Sequence, residues 1–243
     1  TEQFNGNARQ FVQSLRGGHT LTDTINVAAI VASAPKQGNV WTDGGVAMPE
    51  ITDFPLPSFG VFWPNGSLET HPATDSEQNF AFVEQLADGA RLWGPIMGPA
   101  GSSTRAELVG GIVATLAPLE GHIRSDSKAF VKRAHKIVKQ LRNGVDKPRK
   151  WKLISDGDLW EHFYLALKAK GPNAFWATWV KGHATDVHIQ EALTTATHKQ
   201  GNDRADEIAD LGANIYGKNL HDVATEFHKR HNRYYAIMKK VVT

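Results

Sequence analysis

The 243-residue sequence contains no cysteine, and this absence removes several kinds of chemistry at once. A disulfide framework, a thiolate nucleophile and a zinc site built on cysteine are all excluded. Any bound metal must therefore be held by carboxylate or histidine side chains. The sequence supplies both, with 25 acidic residues and 11 histidines.

The sequence also lacks a long apolar run. Its most apolar stretch, Val109–Leu119, is interrupted by two glycines and a proline, and falls short of the roughly 20 residues of a membrane-spanning helix. No secretory leader with a basic start and an apolar core is recognisable. We therefore expect an intracellular protein, in the cytoplasm or nucleus, with no membrane partner. The first residue is Thr1 rather than methionine, which favours an excised piece of a longer polypeptide or a processed product.

The sequence has no large excess of charge of either sign, since 27 basic and 25 acidic residues give a net charge of +2. So small a surplus permits a polyanionic partner without requiring one. Basic residues cluster locally, in Lys147–Lys152 and on one helical face. Two interpretations fit this pattern, a solvated helix surface and a surface that binds nucleic-acid phosphates. The second is favoured, because the acidic residues described below form a candidate metal site next to it. The residues on the helical face are Lys128, Lys132, Lys136, Lys139 and Arg142.

Hydrophobic periodicity predicts strands first and alternating strands and helices afterwards. Short apolar runs bounded by turn residues predict three sequential strands, which we expect to pair antiparallel. Later segments alternate between short strand-like runs and a helical period of 3.6. The predicted strands cover 39–46, 58–63, 91–97, 122–126 and 175–180, and the predicted helices cover 102–116, 130–141, 158–170, 202–216 and 220–241.

This order predicts an α/β fold with a mixed five-stranded sheet, three antiparallel strands followed by parallel ones, flanked by helices. We divide the chain into a leader or linker at 1–37, a domain at 38–217 and a basic C-terminal helical extension at 218–243. The stretch 64–90 is typical of an insertion within the domain. A long polar loop follows His183.

Four acidic residues stand where a metal site needs them, near strand ends and helix starts. Asp43 lies in a predicted strand, and Glu107 lies in an early helical turn. Asp126 separates a strand from a helix, and Asp206 lies in a later helix. Converging carboxylates suit Mg²⁺, which prefers hard oxygen ligands.

Each acid also has an ordinary structural explanation. Asp43 precedes a glycine, as in a tight turn. Glu107 fits a capping box with Thr104. Asp126 fits a helix N-cap, and Asp206 fits a solvated helix face. Taken singly, none of the four establishes a metal site.

Taken in order along the chain, the motifs that contain these acids resemble those of ribonuclease H of the type 1 class, which is fused to many reverse transcriptases. The resemblance spans about residues 38–216 and includes Asp158-Leu-Trp160. The five motifs are Val40-Trp-Thr-Asp43-Gly-Gly, Ser103-Thr-Arg-Ala-Glu107-Leu, Ile123-Arg-Ser-Asp126-Ser, Trp179-Val-Lys-Gly-His183 and Gly201-Asn-Asp-Arg-Ala-Asp206-Glu.

The resemblance implies an endoribonuclease that hydrolyses the RNA strand of an RNA–DNA hybrid, leaving 5′-phosphate and 3′-hydroxyl ends. Two Mg²⁺ ions, for which Mn²⁺ can substitute, would be held by Asp43, Glu107, Asp126 and Asp206. His183 would join these four as a catalytic residue, because it would assist protonation of the leaving group.

The resemblance also implies how the hybrid is recognised, through the 2′-hydroxyls of the RNA strand and the backbone shape of the DNA strand. Other domains of a reverse transcriptase polyprotein are further expected partners. Trp41, which precedes Asp43 by two residues, is assigned to the core. The expected substrate contacts are Gly44, Ser103, Arg105, Lys128 and Asn202.

The sequence departs from the family pattern at several places. Ser103 stands where cellular members often carry asparagine, and Lys128 stands where they often carry glutamine. The loop after His183 is longer than usual. It contains His188 and His198, whose spacing matches no established zinc motif.

Two other classes of function stay open. A catalytically silent nucleic-acid-binding module would share the fold, but the full set of acids and the histidine count against it. An integrase-like DNA nuclease rests on three acids and lacks the Trp-Val-Lys-Gly-His string. Fold alone does not separate these functions, because one fold hosts many.

Overall fold

A computed structural model of the chain describes residues 38–51, 54–69, 81–96, 101–117, 120–145 and 150–242. The predicted leader at 1–37 lies outside these ranges. So do parts of the predicted insertion and of the basic segment Lys147–Lys152. The domain boundaries at 38–217 and 218–243 stay predictions.

Strands dominate the first part of the described chain, and helices dominate the rest. The strands are β1 (Gly38–Ala47), β2 (Leu56–Pro64), β3 (Phe82–Leu86), β4 (Gly89–Pro95), β5 (Gly121–Ser125) and β6 (Phe175–Trp179). The helices are α1 (Ser103–Leu116), α2 (Lys128–Arg142), α3 (Gly157–Lys170), α4 (Asp186–Gln190), α5 (Ala196–Asn214) and α6 (Gly217–Val242).

The strands form one sheet in the order β3-β4-β2-β1-β5-β6. β1 pairs antiparallel with β2, and β4 pairs antiparallel with both β2 and β3. β5 pairs parallel with β1 on one side and with β6 on the other. The predicted fold class, a mixed sheet flanked by helices, is confirmed.

The sheet has six strands, where the sequence predicted five. The additional strand β3 falls in the stretch 64–90 that was expected to be an insertion, and it joins β4 through the two-residue turn Ala87-Asp88. β3 lies at the edge of the sheet, and Phe82 is 52% exposed. The sequence of β3, Phe-Val-Glu-Gln-Leu, lacks the alternation of apolar and polar residues from which a half-buried strand is predicted.

Helices cover both faces of the sheet, and each face has its own apolar core. On one face, beneath α1, α2 and α3, the rings of Phe130, Phe163 and Phe175 pack edge to face. α5 crosses the other face over β1, β2 and β4. There Trp41 is 3% exposed and packs with Ile208, which confirms its assignment to the core.

α5 approaches the sheet so closely that glycine is required at the contact. A Cβ on Gly60 of β2 would lie 2.5 Å from the main-chain oxygen of Ala205 and from the main-chain nitrogen of Ala209. A Cβ on Gly201 of α5 would lie 2.2 Å from the ring of Trp41. The depth of α5 on the sheet, and with it the position of Asp206, depends on these two glycines.

α5 begins at Ala196 rather than near Asn202, as the sequence predicted. Thr195 caps it, since its hydroxyl accepts the N–H of His198 at 3.1 Å. The loop after His183 is correspondingly shorter and contains the short helix α4. The first turns of α5 are polar, so they carry no helical period that would have predicted them.

α6 packs on the domain through its first turns. Leu220 and Ala224 are buried, and the ring of Phe227 lies 5.4 Å from that of Phe54. Every residue from 229 to 241 is exposed. None of the described helices combines the length and the apolarity needed to cross a bilayer.

Substitution of Gly60 tests the close approach of α5. We expect Gly60→Ala to lower the free energy of unfolding by about 1–3 kcal/mol, because the added methyl group would overlap main-chain atoms of α5. Gly45→Ala is the matched control, since its Cβ would meet only the Ser58 hydroxyl at 3.5 Å. Urea unfolding of both variants measures the difference. Equal stability of the two variants would contradict this packing.

Candidate metal centre

Three carboxylates from three different elements converge beside the end of β5. Asp43 lies on β1, Glu107 lies near the start of α1, and Asp126 directly follows β5. One oxygen of each carboxylate lies within 4.8 Å of the other two. Asp43 and Glu107 are buried, and Asp126 is partly buried. The structure thus brings together three of the four predicted metal ligands.

The approach of α1 to β1 explains why Asp43 and Glu107 meet. Asp43 stands within the strand, opposite Gly60 of β2, so it does not form a turn. A Cβ on the next residue, Gly44, would lie 2.2 Å from the main-chain nitrogen of Glu107. Glycine therefore lets α1 come close. The N–H of Gly44 also donates to Asp43 Oδ1 at 2.8 Å and so orients that carboxylate.

Serines, rather than the acids, cap the two helices that begin at this site. Ser102 caps α1 and accepts a main-chain N–H at 3.1 Å. Ser127 caps α2 and accepts a main-chain N–H at 3.3 Å. Glu107 and Asp126 are therefore not needed as caps, and their carboxylates face the cluster.

Ser125 supports the cluster, although the sequence did not single it out. Its hydroxyl donates to Glu107 Oε2 at 3.3 Å and accepts the N–H of Ser127 at 3.1 Å. It is fully buried at the end of β5. The signal in the sequence was its place beside Asp126 in the Arg-Ser-Asp string.

Gly182 was missed for a similar reason. A Cβ at this residue would lie 2.0 Å from Asp126 Oδ2, so the main chain of the loop lies directly against that carboxylate. Only glycine fits there without displacing the acid. The Trp-Val-Lys-Gly-His string contained the signal, but sequence reasoning gave a role to His183 alone.

Asp206 and His183 lie at the rim of this cluster. Asp206, on α5, does not belong to the group of acids whose carboxylate oxygens lie within 4.8 Å of one another. Its side chain is 43% exposed. His183 Nδ1 lies 3.8 Å from Asp206 Oδ2, with the imidazole 85% exposed. The main chain of His183 is left-handed, with φ of 46°. The structure therefore places both predicted residues beside the cluster rather than inside it.

Burial and mutual repulsion raise the pKa values of two of the acids. The pKa of Asp43 rises to about 7, through burial first and then through the charge of Asp126, and Asp206 adds to the effect. The N–H of Gly44 acts in the opposite direction. The pKa of Glu107 is raised well above its ordinary value by burial and by its two acidic neighbours.

This donor set fits a hard divalent cation. The converging ligand atoms are all carboxylate oxygens, which Mg²⁺ and Mn²⁺ prefer over nitrogen or sulfur. Partly buried carboxylates that repel one another are unfavourable as ions on their own. A cation among Asp43, Glu107 and Asp126 would offset the repulsion and lower the raised pKa values of Asp43 and Glu107.

The two histidines of the loop after His183 take part in other contacts. His188 Nδ1 accepts the N–H of Thr185 at 2.9 Å, and His198 Nε2 lies 3.1 Å from a guanidinium nitrogen of Arg124. Within the described part of the chain, neither histidine belongs to a group of three or more potential metal ligands.

The predicted substrate contacts differ in accessibility. Ser103 and Lys128 are exposed at the starts of α1 and α2, and Gly44 is partly buried. The guanidinium of Arg105 is held at 2.5 Å by Asp158, whose pKa this hydrogen bond lowers. The Asp158-Leu-Trp motif therefore braces the start of α1, and the Arg105 side chain is already engaged within the protein.

Asn202 does not suit the direct substrate contact that was expected of it, because it is only 2% exposed. It lies on the face of α5 that packs on the sheet, next to Gly201 and its contact with Trp41. Its polar neighbours in the sequence gave no sign of this burial.

Comparison with known proteins identifies the chain independently of this geometry. The model of the RNase H family matches residues 87–214, more than half of the sequence. No curated protein matches significantly.

Solved structures of low sequence identity resemble the chain. The RNase H domain of prototype foamy virus is 19% identical, over 75% of this chain and 97% of that one, with a TM-score of 0.48. LC9-RNase H1 is 17% identical, over 74% and 72%, with a TM-score of 0.47. RNase H1 of Halobacterium salinarum is 16% identical, over 73% and 97%, with a TM-score of 0.37.

The raised pKa of Asp43 predicts how stability depends on pH in the presence of a chelator. The folded protein binds a proton more tightly at Asp43 than the unfolded chain does, so stability falls as the pH rises from about 4 to about 7. We expect Asp43→Asn to remove this loss and to be more stable than wild type at about pH 8, by up to roughly 4 kcal/mol. The advantage should vanish near pH 4.

Thermal and urea unfolding across this pH range measure the effect. Asp222→Asn is the control, because Asp222 is an exposed partner of Lys218 on α6. A destabilised Asp43→Asn variant in chelator at about pH 8 would contradict the stated cause, which is burial of charge.

Proposed function

The chain belongs to the RNase H family, and from this premise we propose that it hydrolyses the RNA strand of RNA–DNA hybrids with divalent metal ions. The observation that carries the proposal is the meeting of Asp43, Glu107 and Asp126 within 4.8 Å. Asp43 lies outside the matched residues 87–214. Its arrival beside two acids from within that range is therefore independent support.

The four acids would hold two Mg²⁺ ions, for which Mn²⁺ can substitute. When bound, these ions supply Lewis acidity, which promotes ionisation of water and stabilises negative charge on phosphate oxygens. Asp43, Glu107 and Asp126 form the preformed part of the site. Asp206 would complete the site from α5. Its carboxylate is near the cluster, since its charge raises the pKa of Asp43, after the larger effects of burial and of Asp126. The expected products carry 5′-phosphate and 3′-hydroxyl ends.

His183 would move a proton at the leaving group. Imidazole is the side chain suited to gaining and losing a proton near neutral pH. His183 is exposed, so it is accessible to a substrate, and Asp206 lies 3.8 Å from its Nδ1. This acid would orient the ring, from which the departing 3′-oxygen would take its proton.

The hybrid would lie across the starts of α1 and α2. Main-chain groups near Gly44, Ser103 and Arg105 would meet the 2′-hydroxyls of the RNA strand. Lys128 and the basic face of α2 would neutralise phosphates beside the site, and all five basic residues of that face are exposed. An intracellular location and a place within a reverse transcriptase polyprotein stay predictions.

A nuclease assay tests the proposal. End-labelled RNA–DNA hybrid, double-stranded RNA, double-stranded DNA and single-stranded RNA are each incubated with the protein in Mg²⁺ and in chelator. We expect cleavage of the RNA strand of the hybrid alone, only with Mg²⁺. We expect Asp43→Asn to reduce the rate by at least about 100-fold, because loss of a ligand exceeds the effect of losing an outer contact.

The control variant is again Asp222→Asn, which should cleave at the wild-type rate. Absence of cleavage by folded wild-type protein in Mg²⁺ and in Mn²⁺ would contradict the proposed activity and favour a silent binding module. Cleavage of double-stranded DNA in preference to the hybrid would favour the integrase-like alternative.

His183 is tested separately from the metal ligands. We expect His183→Ala to lower kcat about 100-fold or more, as loss of a general acid does, while Mg²⁺ binding measured by calorimetry is unchanged. His188→Ala is the matched histidine control in the same loop, and should lower kcat far less. A His183→Ala variant with wild-type kcat would exclude the proton-transfer role.

A further inference from the structure

The indole of Trp179 holds the main chain of Asp126. Its Nε1–H donates to the carbonyl oxygen of Asp126 at 2.8 Å. The side chain is 38% exposed, and Lys128 Nζ lies 4.4 Å from the centroid of its ring. A hydrogen bond at the edge and a cation on the face therefore fix the indole.

Asp126 needs such support because it stands just beyond the end of β5. The pairing of β5 with β6 ends where Ser125 meets Trp179. The N–H of Val180 then donates to the carbonyl of Ser125 at 3.0 Å. The indole bond to Asp126 extends this connection between the two strands by one residue. The Asp126 carboxylate meanwhile lies against Gly182.

The direction of the Asp126 side chain depends on this main chain, since repulsion from Asp43 and Glu107 favours turning the carboxylate away. Contacts that orient metal ligands from outside the coordination sphere strengthen binding, and their loss typically costs about 10–100-fold in metal affinity. A bond to the main chain of a ligand residue acts in the same way.

We propose that Trp179 is a positioning residue of the metal centre, and that Lys128 keeps its ring in place. The inference rests on the proposed function, because it assigns Trp179 a part in the binding of the same metal ions.

The first experiment measures Mn²⁺ binding to the full chain without hybrid, by electron paramagnetic resonance of free Mn²⁺. Trp179→Phe removes the N–H donor and keeps an aromatic ring. Trp176→Phe is the matched control, because Trp176 lies on the same strand and is 45% exposed. We expect Trp179→Phe to weaken Mn²⁺ binding about 10-fold or more, and Trp176→Phe to bind like wild type.

A second readout follows Mg²⁺ binding to the unaltered protein. In a proton–nitrogen correlation spectrum, the indole N–H signals of Trp179 and Trp176 are assigned from sequential connectivities and checked by their loss in the two variants. We expect the Trp179 signal to shift as Mg²⁺ is added, and the Trp176 signal to stay in place.

Equal Mn²⁺ affinity of wild type and Trp179→Phe, or an unmoved Trp179 signal while Mg²⁺ binds, would overturn the positioning role. Equal weakening by both tryptophan variants would overturn it as well, since this would indicate a general loosening of β6. Absence of Mn²⁺ and Mg²⁺ binding by wild type would instead overturn the proposed metal function, so the two failures are distinguishable.

Discussion

Repulsion among three acidic side chains held within 4.8 Å of one another is the constraint that the rest of the site has to satisfy. In an unfolded chain these charges would separate, so the folded contacts must offset their convergence. The Ser125 hydroxyl and the Gly44 N–H hydrogen-bond to two of the acids. Glycines at 44 and 182 admit main chain where a side chain would collide. Much of the local packing thus serves to hold charges together.

The fold could be predicted wherever the buried residues of an element recur at regular spacing in the sequence. Phe130, Ala134 and Ile137 recur at helical spacing because one face of α2 packs on the core, and all three are buried. β3 could not be predicted, because its sequence Phe-Val-Glu-Gln-Leu does not alternate apolar and polar residues, and none of its side chains is fully buried. The early start of α5 was missed for the related reason that its first turns are polar, and a capping threonine alone is a weak signal.

For the candidate site, the order of the motifs predicted more than any single acid did. Asp43, Glu107 and Asp126 each had an equally good structural explanation, and only their joint occurrence indicated a common site. Whether a polar side chain faces the interior depends on how the helices and strands pack, and a short sequence motif gives no information on that packing. This is why Asn202 turned out to be buried, and why supporting residues such as Ser125 were overlooked.

In the part of the chain that the structure describes, the buried residues of the 26-residue helix α6 lie in its first turns. Residues 229–241 are exposed, so little apolar burial stabilises this half of the helix. An isolated helix of about 12–15 residues is marginal in water. Amide protons in this distal half will therefore exchange with solvent much faster than those of the sheet. We expect the distal half of α6 to fray before the domain unfolds, so that the heat absorbed in a calorimetric melt belongs mainly to unfolding of the domain.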